Sequence, residues 1–179
     1  HSQDIKNNFL VDDELSHPEA FAKALAQGFD SFKIKMSPEW RTEMKILRQI
    51  FRDFSGFRVR LDFNSSLDVE DFSFFLGQLD KSEIDRIEYV EDPTPYHSEF
   101  WVEWNKKITL ALDQAWARSF KNFTAALKKM SAPGEMENLG GFDVLVVKPA
   151  LQDLFSWTAW SHANKVRVTV TGLMDHPVG

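Results

Sequence analysis

The sequence contains no cysteine. Disulfide bonds, thiolate metal sites and thiol nucleophiles are therefore excluded together, since each of them requires a cysteine sulfur. A metal ion in this protein would have to be held by oxygen or imidazole ligands, which favours a hard divalent cation.

The sequence also lacks a basic tract and a long hydrophobic run. It has 27 acidic and 21 basic residues, with a formal net charge of −6, so it offers no positive surface for a nucleic acid backbone. No apolar run approaches the roughly 18 residues of a membrane span, and the N-terminal HSQDIKNN has no signal-peptide pattern. We therefore expect a cytoplasmic protein with neither a nucleic acid nor a membrane partner. No pattern in the sequence indicates an oligomeric state.

The sequence does contain enough apolar residues to form a hydrophobic core. Of its 179 residues, 43% are apolar and 13% are aromatic, which predicts one globular domain over residues 1–179. Short β-rich runs alternate with longer runs of helical period, giving seven strands and six helices. The predicted strands are Asn7–Val11, Ser31–Met36, Phe57–Phe63, Arg86–Asp92, Ile108–Asp113, Phe142–Pro149 and Val166–Gly172. The predicted helices include one from a Ser16 capping box to Gly28, one from Ser37 to Ser55, one from near Asp68, Phe120–Met130 and about Asp153–Ala163.

This alternation predicts parallel βα units, arranged either as an open doubly wound sheet or as a (β/α) barrel. The polar residues at the strand ends decide between them. In a barrel the side chains at the carboxyl ends of the strands converge on one mouth, whereas in an open sheet they spread along a line. Five consecutive strands end in charged or polar residues, which favours the barrel. These residues are Lys33 and Lys35, Asp62 and Asn64, Glu91, Asp113, and Lys148.

Three of these residues are candidate metal ligands. Taken singly, Asp62, Glu91 or Asp113 is more typical of a helix cap or a turn than of a metal site. Together, three carboxylates at one mouth repel each other unless a cation lies between them. The pattern predicts a divalent ion held by oxygen, with Mg²⁺ as the first candidate and Mn²⁺ as the second.

The lysines supply a base and a cation. Lys33 and Lys35 project from the same face of their strand, because side chains alternate along a strand with period two. Deprotonation of a carbon acid beside a carboxylate requires both a neutral base and positive charge at the developing enolate. We expect Lys35 to be the base, with Lys33 tuning it and contacting the substrate carboxylate. Lys148 would be either a second base on the opposite face or a cation beside the intermediate.

At the level of motifs, the chain resembles the enolase superfamily, in its muconate-lactonizing branch, and within that branch the o-succinylbenzoate synthases. The matching motifs occur in order along almost the whole chain. They are KIK with Lys33 and Lys35, RLDFN with Arg60, Asp62 and Asn64, IEYVEDP with Glu91, ALD with Asp113, VVKP with Lys148, and TGLMDHPVG after the last strand.

The resemblance implies a Mg²⁺-dependent syn dehydration of a cyclohexadiene carboxylate in menaquinone biosynthesis, with Lys35 and Lys148 as the catalytic lysines. In that case Lys35 takes the proton and returns it to the leaving hydroxyl, and Lys148 is a cation. Arg60 and Asn64 would lie near the substrate, and Thr169, Thr171 and Gly172 would receive its succinyl tail. An N-acylamino acid racemase, a dipeptide epimerase or a cycloisomerase would use the same ligands and lysines. A non-catalytic barrel remnant that binds a metal or a carboxylate is the alternative from another class.

The resemblance also implies a larger fold than this sequence provides. The family fold is a (β/α)7β-type modified TIM barrel with an N-terminal capping domain, and a (β/α) barrel alone takes about 250 residues. We therefore expect strands one to seven of the barrel, without the capping domain and the last strand.

Overall fold

Every strand pairs in parallel with its neighbours in sequence. The computed structural model describes residues 9–11, 18–113, 140–148 and 154–171. Its seven strands form one parallel sheet in the order β1-β2-β3-β4-β5-β6-β7. They are β1 (Phe9–Val11), β2 (Ser31–Lys35), β3 (Arg58–Asp62), β4 (Ile87–Glu91), β5 (Leu110–Leu112), β6 (Val144–Val147) and β7 (Arg167–Val170).

Helices connect the strands. They are α1 (Pro18–Ala26), α2 (Trp40–Asp53), α3 (Val69–Gln78), α4 (Lys81–Ile84), α5 (Ser98–Asn105) and α6 (Leu154–Asn164). In none of the described helices is there an apolar stretch long enough to cross a membrane. The predicted helix Phe120–Met130 and the predicted capping residue Ser16 lie outside the described residues.

The strand order supports the barrel over the open sheet. A doubly wound sheet reverses its strand order at a switch point, whereas a barrel adds each strand on the same side of the preceding one. Here the spatial order and the chain order coincide. The carboxyl ends of the strands therefore share one edge, where the candidate residues lie.

The two faces of the sheet have different cores. The helix-facing side carries residues such as Phe32, Ile34 and Leu61, which are fully buried in one large cluster with the apolar faces of α2 and α3. The other side has a separate small cluster of Tyr89, Ala111, Val144 and Val146. Because strand side chains alternate between faces, the charged residues at alternate positions lie on this second, inner face.

Helix α3 begins where the sequence predicts, and α4 is an addition. The Asp68 side chain accepts a hydrogen bond from the Asp71 N–H, which caps α3. Before β4, Asp80 and Glu83 form a reciprocal capping box around the four-residue helix α4. The sequence analysis did not predict α4, because a single turn has too few residues to show a helical period.

Candidate metal centre and active site

The candidate residues lie at the carboxyl ends of adjacent strands. In the sheet register Lys35 pairs with Asp62, Asp62 pairs with Glu91, and Glu91 pairs with Ala111. Paired residues of parallel strands project from the same face, so Lys35, Asp62 and Glu91 all point into the inner side of the sheet. The expected meeting of polar side chains from several strands is therefore present.

A β-bulge brings Glu91 next to Asp62. Val59 pairs with Ile87, but the next residue, Arg60, pairs with Tyr89, so Glu88 is an extra residue in β4. A regular ladder would have placed Glu91 one position further along, opposite Phe63 and on the helix-facing side. Because a one-residue slip moves every side chain to the other face, the bulge determines on which face Glu91 lies.

Lys33 joins two of the candidate ligands. Its Nζ lies 2.8 Å from Asp62 Oδ2 and 2.9 Å from Glu91 Oε1, and the Lys33 side chain is only 7% exposed. Burial of the ammonium group works to lower the Lys33 pKa, but the attraction of Glu91 and then of Asp62 outweighs burial and raises it well above its ordinary value. Lys33 is therefore a fixed positive charge at this site.

Glu91 is the least exposed of the three candidate metal ligands. Burial, and then the negative charge of Asp62, raise the pKa of Glu91 well above its usual range, although Lys33 acts in the opposite direction. One oxygen, Oε1, accepts from Lys33, while Oε2 is buried and has no hydrogen-bond partner among the described residues. A buried carboxylate oxygen without a partner is costly, so the site favours a further positive charge at this point.

Asp113 and Lys148 form a second buried pair. Lys148 Nζ lies 2.8 Å from Asp113 Oδ2, and both side chains are almost fully buried. Burial raises the pKa of Asp113, while the hydrogen bond from Lys148 acts to lower it. Asp113 follows β5 and Lys148 follows β6, the two strands after β4. The Asp113 pKa is also affected by Lys33 and Asp62.

The donor set fits a hard divalent ion. Asp62, Glu91 and Asp113 offer carboxylate oxygens, and the unpartnered Glu91 Oε2 is the observation that favours a cation here. In the parts of the chain that the structure describes, no three acidic or imidazole side chains are already gathered as a ready metal site. The ammonium groups of Lys33 and Lys148 instead contact one oxygen of each candidate ligand.

Arg60 and Asn64 make different contacts near the candidate ligands. Arg60 Nε donates to Glu88 Oε2 at 2.6 Å, and its guanidinium group lies 5.3 Å from the centre of the Tyr89 ring. Arg60 is two residues before Asp62 in β3, so its side chain lies on the same face but nearer the amino ends of the strands. Asn64 adopts a left-handed backbone with φ of 49°, and its N–H donates to Asp62 Oδ1 at 3.1 Å. This backbone N–H helps to orient a candidate ligand.

Thr169 of β7 and Thr171 just after it also lie on the inner face. Thr169 pairs in register with Val146, and its side chain acts to lower the pKa of Tyr89. The Thr171 N–H donates to the Val147 carbonyl at 3.0 Å, which places Thr171 beside Lys148. Gly172 lies outside the described residues.

Two cavities lie at opposite ends of the sheet. One of about 600 Å³ is lined by residues at the amino ends of the strands, among them Asp30, Arg58 and Glu88, and it contains none of the candidate ligands. The other, of about 540 Å³, is lined by the loops that follow β3 and β4, including Ser65 and Thr94. Asp62, Glu91 and Asp113 line neither cavity, although they lie at the same end of the strands as the second one.

Comparison with known proteins identifies the family. A family model described as "Enolase C-terminal domain-like" matches residues 18–133. The chain belongs to this family. The o-succinylbenzoate synthase of Bdellovibrio bacteriovorus is 34% identical to it over 176 residues, which is 98% of this chain and 49% of that protein.

Solved structures agree on the fold of this enolase-family chain. MenC from Desulfotalea psychrophila superposes with a TM-score of 0.73 at 16% identity, covering 96% of this chain and 47% of that one. An o-succinylbenzoate synthase from Thermosynechococcus elongatus, solved with Mg in its active site, gives a TM-score of 0.66 at 22% identity, covering 96% and 52%. The prediction of an enolase-type barrel is confirmed. The chain spans about half the length of these relatives.

The sequence analysis assigned no role to two acidic residues near the candidate ligands. Glu88 pairs with Arg60 and also accepts from the Ser31 hydroxyl at 3.1 Å. Asp92 is 2% exposed, and its Oδ1 accepts from the Asp113 N–H at 2.9 Å. The sequence pattern that could have identified them is the pair of acidic residues Glu88 and Asp92 in IEYVED, a run that is otherwise typical of a buried strand.

Proposed function

We propose that this chain carries the catalytic half of an o-succinylbenzoate synthase, a Mg²⁺-dependent dehydratase that acts on a cyclohexadiene carboxylate in menaquinone biosynthesis. The observation that carries this proposal is the inner-face cluster, in which three carboxylates from adjacent strands lie against two buried lysines. The 34% identity to the Bdellovibrio bacteriovorus o-succinylbenzoate synthase supports the substrate class.

Asp62, Glu91 and Asp113 would hold the metal ion. When bound, Mg²⁺ supplies positive charge that stabilises the enolate as the substrate loses its α-proton. The three ligands are buried, which keeps water out and strengthens their electrostatic interactions. Lys33, a fixed cation beside two of the ligands, would orient the substrate carboxylate.

Lys35 would move the proton. It is the last residue of β2, projects from the same face as Lys33 and is less buried than Lys33, which suits a group that meets substrate. In this proposal Lys35 takes the proton from the carbon next to the carboxylate, and the electron pair of that C–H bond forms the enolate. Lys35 then donates this proton to the hydroxyl on the same face, the enolate electrons restore the carboxylate and form the new ring C=C bond, and the C–O bond breaks with its electron pair leaving in water.

Lys148 would act as a cation rather than as a second base. Its Nζ contacts Asp113 at 2.8 Å in a buried pair, an arrangement that favours the charged ammonium form. Arg60, Asn64, Thr169, Thr171 and Gly172 remain proposed contributors to the substrate end of the pocket. Thr169 is held in the sheet by the pairing of β7 with β6.

Dehydration assayed directly tests this proposal. The cyclohexadiene carboxylate substrate is incubated with the protein and Mg²⁺, the ultraviolet absorbance of the aromatic product is followed, and the Bdellovibrio bacteriovorus enzyme serves as the positive control. We expect turnover that stops with a chelator and returns with Mg²⁺. Turnover that persists after complete metal removal would refute the metal mechanism.

Substitution of the lysines separates this dehydratase from a racemase or epimerase. Lys35→Arg should abolish turnover, because arginine cannot serve as a base near neutral pH. Lys148→Arg should retain part of it, because the positive charge is kept. A two-base racemase would lose activity in both variants and would exchange the α-proton of both enantiomers in deuterated water.

A further inference from the structure

Asp92 combines burial with an unusual backbone. It is 2% exposed and has φ of 42°, in the left-handed region that few residues other than glycine, asparagine and aspartate adopt. A carboxylate buried in this way is retained only if hydrogen bonds compensate its lost hydration. Asp92 follows Glu91 directly, so any bond it makes also fixes the end of β4.

Asp92 forms hydrogen bonds with β5, with the residue that follows β5 and with the loop that follows β3. Its Oδ1 accepts from the Asp113 N–H at 2.9 Å, and its own N–H donates to the Ala111 carbonyl at 3.0 Å. Its carbonyl oxygen accepts from the Ser65 N–H at 2.6 Å. Asp92 therefore ties the ends of β4 and β5 to the loop that follows Asp62.

The bond to Asp113 matters because β5 is short. The strand covers only Leu110–Leu112, so Asp113 lies past the end of its ladder. Asp113 is nevertheless buried, with 6% exposure, and a buried N–H without a partner is costly. The Asp92 carboxylate supplies the partner that the ladder does not, and with it a fixed position for the Asp113 side chain.

We propose that Asp92 is a positioning residue, which holds Asp113 and Glu91 in register so that their carboxylates can bind one metal ion. This inference rests on the proposed function for the metal, but the anchoring itself is a property of the chain. Groups that orient metal ligands typically change metal affinity by about 10- to 100-fold when they are removed.

Three substitutions at Asp92 separate its contributions. Asp92→Asn keeps a side-chain acceptor and tolerates the left-handed backbone, Asp92→Gly keeps only the backbone freedom, and Asp92→Ala keeps neither. Lys165→Gly is the matched control, because Lys165 is an exposed residue with φ of 59° at the opposite end of the sheet.

The first measurement is Mg²⁺ affinity by calorimetry, with folding checked by circular dichroism. We expect Asp92→Asn and Lys165→Gly to bind like the unaltered protein and Asp92→Gly to bind at least about tenfold more weakly. Equal affinity in Asp92→Gly and the unaltered protein would overturn the proposal. An Asp92→Asn variant as weak as Asp92→Gly would also overturn it, since charge rather than the hydrogen bond would then be responsible.

The second measurement needs no metal. Amide hydrogen exchange at Asp113 should be slow in the unaltered protein and in Asp92→Asn, and clearly faster in Asp92→Gly. Unchanged exchange in Asp92→Gly would refute the anchoring. If the unaltered protein bound no Mg²⁺, the proposed function would fail, and the exchange experiment would still decide whether Asp92 anchors Asp113.

Discussion

Removal of Lys33 tests whether the inner-face cluster depends on internal positive charge. In Lys33→Met the apolar stem keeps its volume, while Asp62 and Glu91 lose the ammonium group at 2.8 and 2.9 Å. The Asp62 and Glu91 side chains are only 5% and 1% exposed, so water replaces little of that interaction. Loss of one partner from a buried ion pair typically costs about 3 to 5 kcal/mol.

This cost should fall as the pH is lowered. Burial and Asp62 raise the pKa of Glu91, so the protonated form of Glu91 favours the folded state at low pH, and that stability is lost as the pH rises through its folded pKa. Lys33 acts to lower this pKa, so its removal raises the pKa further. The stability difference between Lys33→Met and the unaltered protein should therefore be largest at neutral pH and shrink toward pH 4.

Urea denaturation followed by circular dichroism, in EDTA at several pH values, measures both effects. Lys81→Met is the matched control, because the Lys81–Asp85 pair is exposed on the surface and should contribute less than about 1 kcal/mol. If Lys33→Met unfolded at the same urea concentration as the control at pH 7, or if the difference grew toward acidic pH, the electrostatic account of the cluster would be wrong.

Three further predictions concern Tyr89, the Arg60–Glu88 pair and the metal ion. Burial, and then the charge of Glu91, raise the pKa of Tyr89 to about 12, so in Tyr96→Phe the remaining tyrosine should ionise near that value in an ultraviolet titration. Neutral Tyr89 stabilises the folded state below the ordinary tyrosine pKa, and this stabilisation is lost as the pH rises through the pKa of Tyr89 in the folded protein. Ionisation near the ordinary tyrosine pKa would contradict the burial of Tyr89. A double-mutant cycle of Arg60→Gln and Glu88→Gln should give a coupling of about 1 to 2 kcal/mol in urea denaturation, and a coupling near zero would show that the 2.6 Å pair contributes nothing. Mg²⁺ at a hundredfold excess over its dissociation constant should raise the free energy of unfolding by about 2.7 kcal/mol, reversibly with EDTA, whereas an unchanged transition would count against a metal centre.

Local patterns predicted the strands and the faces on which their polar residues lie. Lys33 and Lys35 share a face because of period-two alternation, and this could be inferred from the sequence KIK alone. The helix beginning near Asp68 was likewise signalled by its capping residue. These features depend on neighbours a few positions apart, which sequence patterns record directly.

Relations between strands were not predictable in this way. The β4 bulge that moves Glu91 beside Asp62 depends on the pairing of two strands, and nothing within IEYVED indicates an extra residue. The role of Asp92 was hidden for the same reason, since its partners Ser65 and Asp113 come from other strand ends. Sequence analysis identified the candidate ligands, but the residues that hold them in place emerged only from the register.

The strand order described above also bears on how the chain can fold. Within the residues that the structure describes, each strand pairs only with the strands immediately before and after it, so the sheet can grow by one βα unit at a time, each adding to the edge left by the last. Such growth needs only local loop closure, and local contacts are associated with rapid folding. The candidate ligands Asp62, Glu91 and Asp113 come from three successive units, so their site can be assembled from a contiguous stretch of the chain as it emerges during synthesis.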